Sequence, residues 1–139
     1  MIITPSAVLA NATALLWLTH LQVGAAASTL SFYTGAKPAN TLTGPDGTTQ
    51  ILLGTATCKV SGNDVGSVAS NRLTFDTITQ DSAADNTGTA TWVRIRDGDG
   101  LAVIDVDVSD LGGNGFMKMN TTAIVAGGPI AVSSCFIDF

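Results

Sequence analysis

The chain has no glutamate: all 11 acidic residues among its 139 are aspartate, and His20 is its single histidine. General acid–base chemistry at neutral pH draws on His, Glu and Asp with tuned pKa values, so an enzyme would find few candidates here. Ser-His-Asp catalysis would rest on His20 alone, and no G-x-S-x-G elbow is present. Basic residues are scarce too. Lys37, Lys59, Arg72, Arg94, Arg96 and Lys118 are scattered, the formal charge is −5 and the pI is near 4.3. Nucleic acid needs clustered cations facing its phosphates, which argues against it as a partner. No Lys or Arg precedes Lys37, so Gly24–Ser28 (GAAAS) resembles a signal cleavage site but lacks the positive flank. Asn11, Thr13, Thr19, His20 and Gln22 interrupt the apolar start, which argues against a membrane span. The 2 cysteines, Cys58 and Cys135, have no CxxC spacing and no nearby His, so they carry no metal signal. Both sit in apolar runs and read as buried free thiols rather than a disulfide.

Charged residues make up only 12% of the chain, against about a quarter in an average domain. Its surface must then be built largely from Thr, Ser, Asn, Gly and Ala. Such a surface suits a β-sandwich, or a protein covered by its neighbours in an assembly.

Thr4 to Val23 reads as a helix, with Thr4 as N-cap and Pro5 at the first helical position. Val8, Leu9, Ala12, Leu15, Leu16, Thr19 and Val23 share one stripe, while Trp17, Leu18 and Leu21 lie away from it. A helix apolar on more than one side is buried on more than one side, by its own domain or by a partner. Beyond the Gly24–Ala27 hinge, Thr29–Tyr33 alternates with Leu30 and Phe32 on one face. Ala36–Thr49 is a loop built on Pro38, Pro45, Asp46 and Gly47. Ile51–Val60 reads as a strand with Leu52, Ala56, Cys58 and Val60 inward. Further strands follow at Arg72–Ile78, Phe116–Met119 and Ile130–Phe139, with Thr79–Gly88 as a polar connector. Residues 1–27 form a helical segment and 28–139 an antiparallel β-sandwich or jelly roll in one all-β domain, because short strands and turn signals alternate regularly.

Gly88–Val108 (GTATWVRIRDGDGLAVIDVDV) reads as a hairpin. With Gly98 and Asp99 as its loop, Val93 opposes Ile104 and Ile95 opposes Ala102. Arg94 and Asp105 become diagonal neighbours. One face is apolar; Trp92, Arg94, Arg96, Asp105 and Asp107 share the other, which is either open to solvent or meets a charged partner. The aspartates raise a calcium hypothesis, but Asp97-x-Asp99-Gly100 lacks the later ligands of an EF-hand loop, so turn chemistry is the better reading. A glycosidase would need a cleft and a tuned acid, and nothing clusters the two Trp and one Tyr. Gly112–Gly115 lacks the Lys of a phosphate loop.

Asp81–Arg94 (DSAADNTGTATWVR), Met119–Pro129 (MNTTAIVAGGP) and Tyr33–Pro38 (YTGAKP) after an apolar helix resemble blocks found in small virion proteins of tailed bacteriophages. The resemblance runs from about Leu15 to the end; Cys58, Cys135 and the charged hairpin face depart from it. It implies a structural protein, with jelly-roll capsid decoration or cement proteins as the nearest class and no catalytic residues to carry over. The expected protein sits on the capsid exterior, is made in the host cytoplasm, and binds the major capsid protein and itself as a dimer or trimer. It needs no cofactor, metal, nucleic acid or membrane. Its expected contact residues are Trp17, Leu18 and Leu21, Lys37, Pro38 and Pro45 of the loop, Arg94 and Arg96, and Phe136 and Phe139. A tail or head–tail connector component is the first alternative. A carbohydrate-binding attachment module is the second, and it requires Trp92 and Tyr33 to be exposed.

Overall fold

The computed structural model describes residues 6–58 and 65–139. Thr4 and Pro5, expected to start the helix, and Lys59 and Val60 of the second expected strand lie outside them. Helix α1 spans Ala7–Leu21, and the Ser6 hydroxyl caps it by accepting from the Leu9 amide at 3.3 Å. Ten strands follow among the described residues: β1 (Thr29–Tyr33), β2 (Leu52–Thr57), β3 (Gly66–Ala69), β4 (Arg72–Phe75), β5 (Gly88–Thr89), β6 (Trp92–Arg96), β7 (Ala102–Asp110), β8 (Met117–Met119), β9 (Ala123–Ile124) and β10 (Val132–Asp138). Eight of them form one sheet in the order β2-β1-β6-β7-β8-β10-β4-β3, and β5 pairs with β9 in a small ribbon. Every pairing is antiparallel except β7 with β8. The large sheet is curled. This is the all-β, sandwich-like fold preceded by one helix that the strand spacing predicts.

The core is the inward row of each strand: Leu30 and Phe32 of β1, Val93 and Ile95 of β6, Ile104 and Val106 of β7, Met117 and Met119 of β8, and Leu73 of β4. Strand alternation puts these residues on one side and their neighbours on the other. In β2 the expected alternation slips. The β1–β2 ladder shifts between Phe32 and Tyr33, so Leu53 is buried in place of Leu52, which is only partly so. Gly54 follows, where a β-carbon would come within 2.5 Å of Asp81 Oδ2 and 2.7 Å of Ile130.

The Thr79–Gly88 segment is more than a connector. It runs along the free edge of β2, where Thr57 and Thr79 exchange backbone hydrogen bonds and the Asp85 amide donates to the Leu53 carbonyl at 2.8 Å. Asp81 Oδ2 accepts from the Thr55 amide at 2.9 Å. Covering an edge strand in this way satisfies backbone groups that would otherwise pair with another chain.

The β6–β7 hairpin keeps its expected faces but not its register. Val93 opposes Val106, Ile95 opposes Ile104, and a bulge follows before Arg96 pairs with Ala102. The cause is a wider turn: Asp97 Oδ1 accepts from the amides of Asp99 (3.0 Å) and Leu101 (2.9 Å), so the loop closes at Leu101 rather than after Asp99. A slip of two residues leaves every side chain on its original face. It also moves Arg94 directly opposite Asp105 instead of diagonal to it.

Candidate binding surface

The charged face of the hairpin is covered in part: Trp92 and Arg94 are buried, Arg96 and Asp105 half-buried, and Asp107 exposed. The chain's own 36–50 loop lies over Arg94. Arg94 is 2% exposed, and its guanidinium donates to both Asp105 oxygens at 2.7 Å and to the Thr43 carbonyl of the loop at 2.9 Å. Trp92 lies beside it, fully buried, stacked on Tyr33 with ring centroids 4.5 Å apart, and donating from Nε1 to the Thr34 carbonyl at 3.0 Å. Neither ring is open to a sugar, so the exposure that a carbohydrate site at these residues needs is missing. Asp46 shapes the loop. Its Oδ1 accepts from the amides of Thr48, Thr49 and Gln50, each at 2.9 Å, and these bonds with the Thr49 hydroxyl hold its carboxyl well below the usual carboxylate range. Gln50 ties the loop base by donating to the Ala36 carbonyl.

The helix is turned round relative to its largest apolar stripe. Ala10, Ala14 and Leu21 face the domain, with Trp17 and Leu18 half-buried beside them. Two small alanines let the backbone approach β3 and β4 closely, and Trp17 sets its edge against Phe139 at 4.7 Å. Two polar side chains fix the orientation. Asn11 Oδ1 accepts from the Asn71 amide at 2.7 Å, and Gln22 Oε1 from the Val65 amide at 3.3 Å. Asn71 lies in the two-residue β3–β4 turn, where Ser70 and Asn71 have φ of 51° and 64°, as a type I′ hairpin requires. Satisfying these amides and fitting Trp17 decide the rotation, and they leave Val8, Leu9, Leu15 and Leu16 outside at 81, 58, 53 and 57% exposure.

The expected contact residues therefore divide. Leu21, Pro38 and Arg94 are interior, which corrects their assignment as outer contacts. Trp17, Leu18, Pro45, Arg96, Phe136 and Phe139 are half-buried: Arg96 donates to the Gly100 carbonyl at 3.2 Å, and Arg72 lies 3.9 Å over the Phe136 ring. Lys37 is exposed. The exposed large apolar residues among those described are the helix row with Val23, Leu42 at the loop tip and Leu101 beside the hairpin turn, 95 and 66% exposed, and, apart from these, Leu111, Phe116 and Val125. An apolar groove of about 500 Å³ runs from Leu16, Trp17 and His20 to Leu101 and Val103. The sequence signal for this arrangement was the alternative stripe of small residues, Ala10 and Ala14, flanked by the hydrogen-bonding Asn11.

The aspartates do not converge. Asp105 is held by Arg94, Asp97 closes its own turn, and Asp110 Oδ1 accepts from the Gly112 amide at 3.1 Å. Among the described residues no group of three or more His, Cys, Asp or Glu is placed to hold a metal ion, and no helix is long and apolar enough to cross a membrane. Cys58 and Cys135 are buried free thiols; burial pushes Cys58 up to about 12 and raises Cys135 likewise.

A scan against protein-family models finds no match, and searches of curated proteins and of solved structures return no similar chain.

Proposed function

We propose that this chain is a structural virion protein that decorates or cements a phage capsid, binding the major capsid protein and itself. The observation that carries the reading is the outward apolar row of α1 on a chain with so few charges. Four large aliphatic side chains stand exposed on one side of one helix, and obligate interfaces are apolar and charge-poor in the same way. The blocks that resemble phage virion proteins supply the class. Leu42, on a loop turn where its amide donates to Asn40 Oδ1 at 3.0 Å, offers a second contact point. The action is binding: several modest contacts per copy, repeated over a lattice, add up to firm attachment.

The test is to purify particles from host cells that make this chain, quantify it in them by mass spectrometry, and label intact particles with an antibody against it. Many copies per particle, with label over the head, support the proposal. Label confined to the tail favours the connector alternative, and absence from purified particles overturns both.

A further inference from the structure

We infer that the cavity between the 41–45 segment and the β6–β7 hairpin is an oxyanion site, fitted to one carboxylate carried on an apolar body. It holds about 540 Å³, an ordinary size for a small-molecule site, and Arg94 and Arg96 both line it. The two stand on the same side of β6, two residues and thus about 7 Å apart along the strand. Arg94 has hydrogen-bonding capacity to spare. A guanidinium carries five N–H donors. In Arg94, Nε and Nη2 give theirs to Asp105 and to the Thr43 carbonyl, and Nη1 has no acceptor among the described residues. Nor is Nη1 sealed from solvent: among the described residues, the fully enclosed side-chain polar atom without a partner is Asn71 Oδ1. A side chain only 2% exposed therefore turns its unpartnered nitrogen to open space, at the cavity that it lines. Arg96 is half-buried beside it. Its Nη1 donates to the Gly100 carbonyl at 3.2 Å, and its Nε and Nη2 have no acceptor among the described residues.

Charge balance selects the ligand. Asp105 offsets Arg94, which leaves the positive charge of Arg96 without an ion-pair partner among the described residues. No acidic residue among those described lines the cavity. The aspartates nearest in sequence are engaged elsewhere: Asp97 accepts from the amides of Asp99 and Leu101, and Asp46 from those of Thr48, Thr49 and Gln50. One negative charge completes the site, whereas a phosphate dianion exceeds it in a chain that already carries −5. A carboxylate also offers two coplanar oxygens, one for Arg94 Nη1 and one for Arg96, as guanidinium recognition favours. The rim decides what carries it. Leu42 and Leu101, 95 and 66% exposed, line the same cavity with Pro45, so the ligand's body meets aliphatic surface. Gly44 and Gly100 have nothing within 4 Å where a side chain would begin, which leaves entry open beside both.

The site does not depend on the capsid reading and is tested on the free, full chain. Isotope-labelled protein is titrated at neutral pH with the sodium salts of isovalerate, acetate, phosphate and chloride at matched ionic strength, and followed by NMR. Isovalerate should shift the Arg96 Nε–H signal and the Gly44 and Gly100 amides saturably, with a Kd on the order of 1–10 mM. Acetate should bind roughly fivefold more weakly, because it lacks the carbons that the leucine rim covers. Phosphate and chloride should be weaker still. Arg96→Gln should weaken isovalerate about tenfold, with Arg96→Lys restoring part of the loss and Lys37→Gln, outside the cavity, changing nothing. Leu42→Ser, at an exposed position, should erase the preference for isovalerate over acetate while acetate binds as before, a readout that needs no Arg96 variant to fold. Shifts that chloride reproduces, a titration that does not saturate, phosphate binding more tightly than isovalerate, or a preference that survives Leu42→Ser overturns the inference. A blocked Leu-Glu-Leu peptide and its Leu-Gln-Leu counterpart separate the two sources of a carboxylate. Binding of the glutamate peptide alone, more tightly than isovalerate, assigns the site to a protein side chain; saturable isovalerate binding that the peptide does not match assigns it to a free organic acid.

Discussion

Removing the carboxylate of Asp105 should be among the most damaging single changes in this protein. The Arg94 and Asp105 side chains are 3 and 5% exposed, and two parallel hydrogen bonds of 2.7 Å join them. Asp105→Ala leaves a guanidinium buried beneath the 36–50 loop with only the Thr43 carbonyl to accept from it. Breaking a buried pair from one side costs about 3–5 kcal/mol, a large part of the ~5–15 kcal/mol that stabilises a typical domain. For a chain of this length the melting temperature should fall by roughly 10–20 °C. Differential scanning calorimetry and urea unfolding measure this directly. Replacing both partners, Arg94→Met with Asp105→Leu, removes the uncompensated charge and should return to within about 2 kcal/mol of the wild type. A cost below ~1 kcal/mol for Asp105→Ala is what an exposed ion pair gives, and it would refute the burial of this pair beneath the loop.

Three further outcomes are expected. Trp17→Ala removes the edge contact with Phe139 and opens a gap under α1, costing about 2–4 kcal/mol in urea unfolding, whereas Leu15→Ser, on the outward row, should change monomer stability by under about 0.5 kcal/mol. Asp46→Ala should abolish hydrogen-exchange protection of the Thr48, Thr49 and Gln50 amides while core amides stay protected. Since the folded-state pKa of Asp46 lies below its unfolded value, its contribution is complete above about pH 4 and is lost only as pH falls towards the folded value; those amides should remain protected at pH 3 in the wild type, and exchange at pH 3 as fast as in Asp46→Ala would contradict this. Native Cys58 and Cys135 should resist a disulfide reagent at pH 8 and react only at the rate of unfolding, because with Cys58 at about 12 the thiolate is scarce and the sulfur is covered. Rapid labelling of the folded protein would show that one of the thiols is reachable.

What the sequence determined by itself was local: one N-terminal helix, short strands between glycine, proline and aspartate turns, and which residues of each strand share a face. Leu30 with Phe32 and Val93 with Ile95 were legible because alternation is a property of the backbone. Even the two-residue register error in the β6–β7 hairpin preserved those faces. Tertiary structure decided what covers each face. The hairpin's charges read as a surface because Arg and Asp usually stand in water. Only the fold brings the Thr43 carbonyl, about fifty residues away in sequence, over Arg94. The helix is the clearest case. Its strongest apolar stripe faces outward because small alanines, an indole that meets Phe139, and two side chains that accept otherwise unpaired amides together outweigh the burial of four larger aliphatic residues. Periodicity marks which residues of a helix move together, but the direction they face depends on the shape and unpaired hydrogen-bonding groups of the surface beneath.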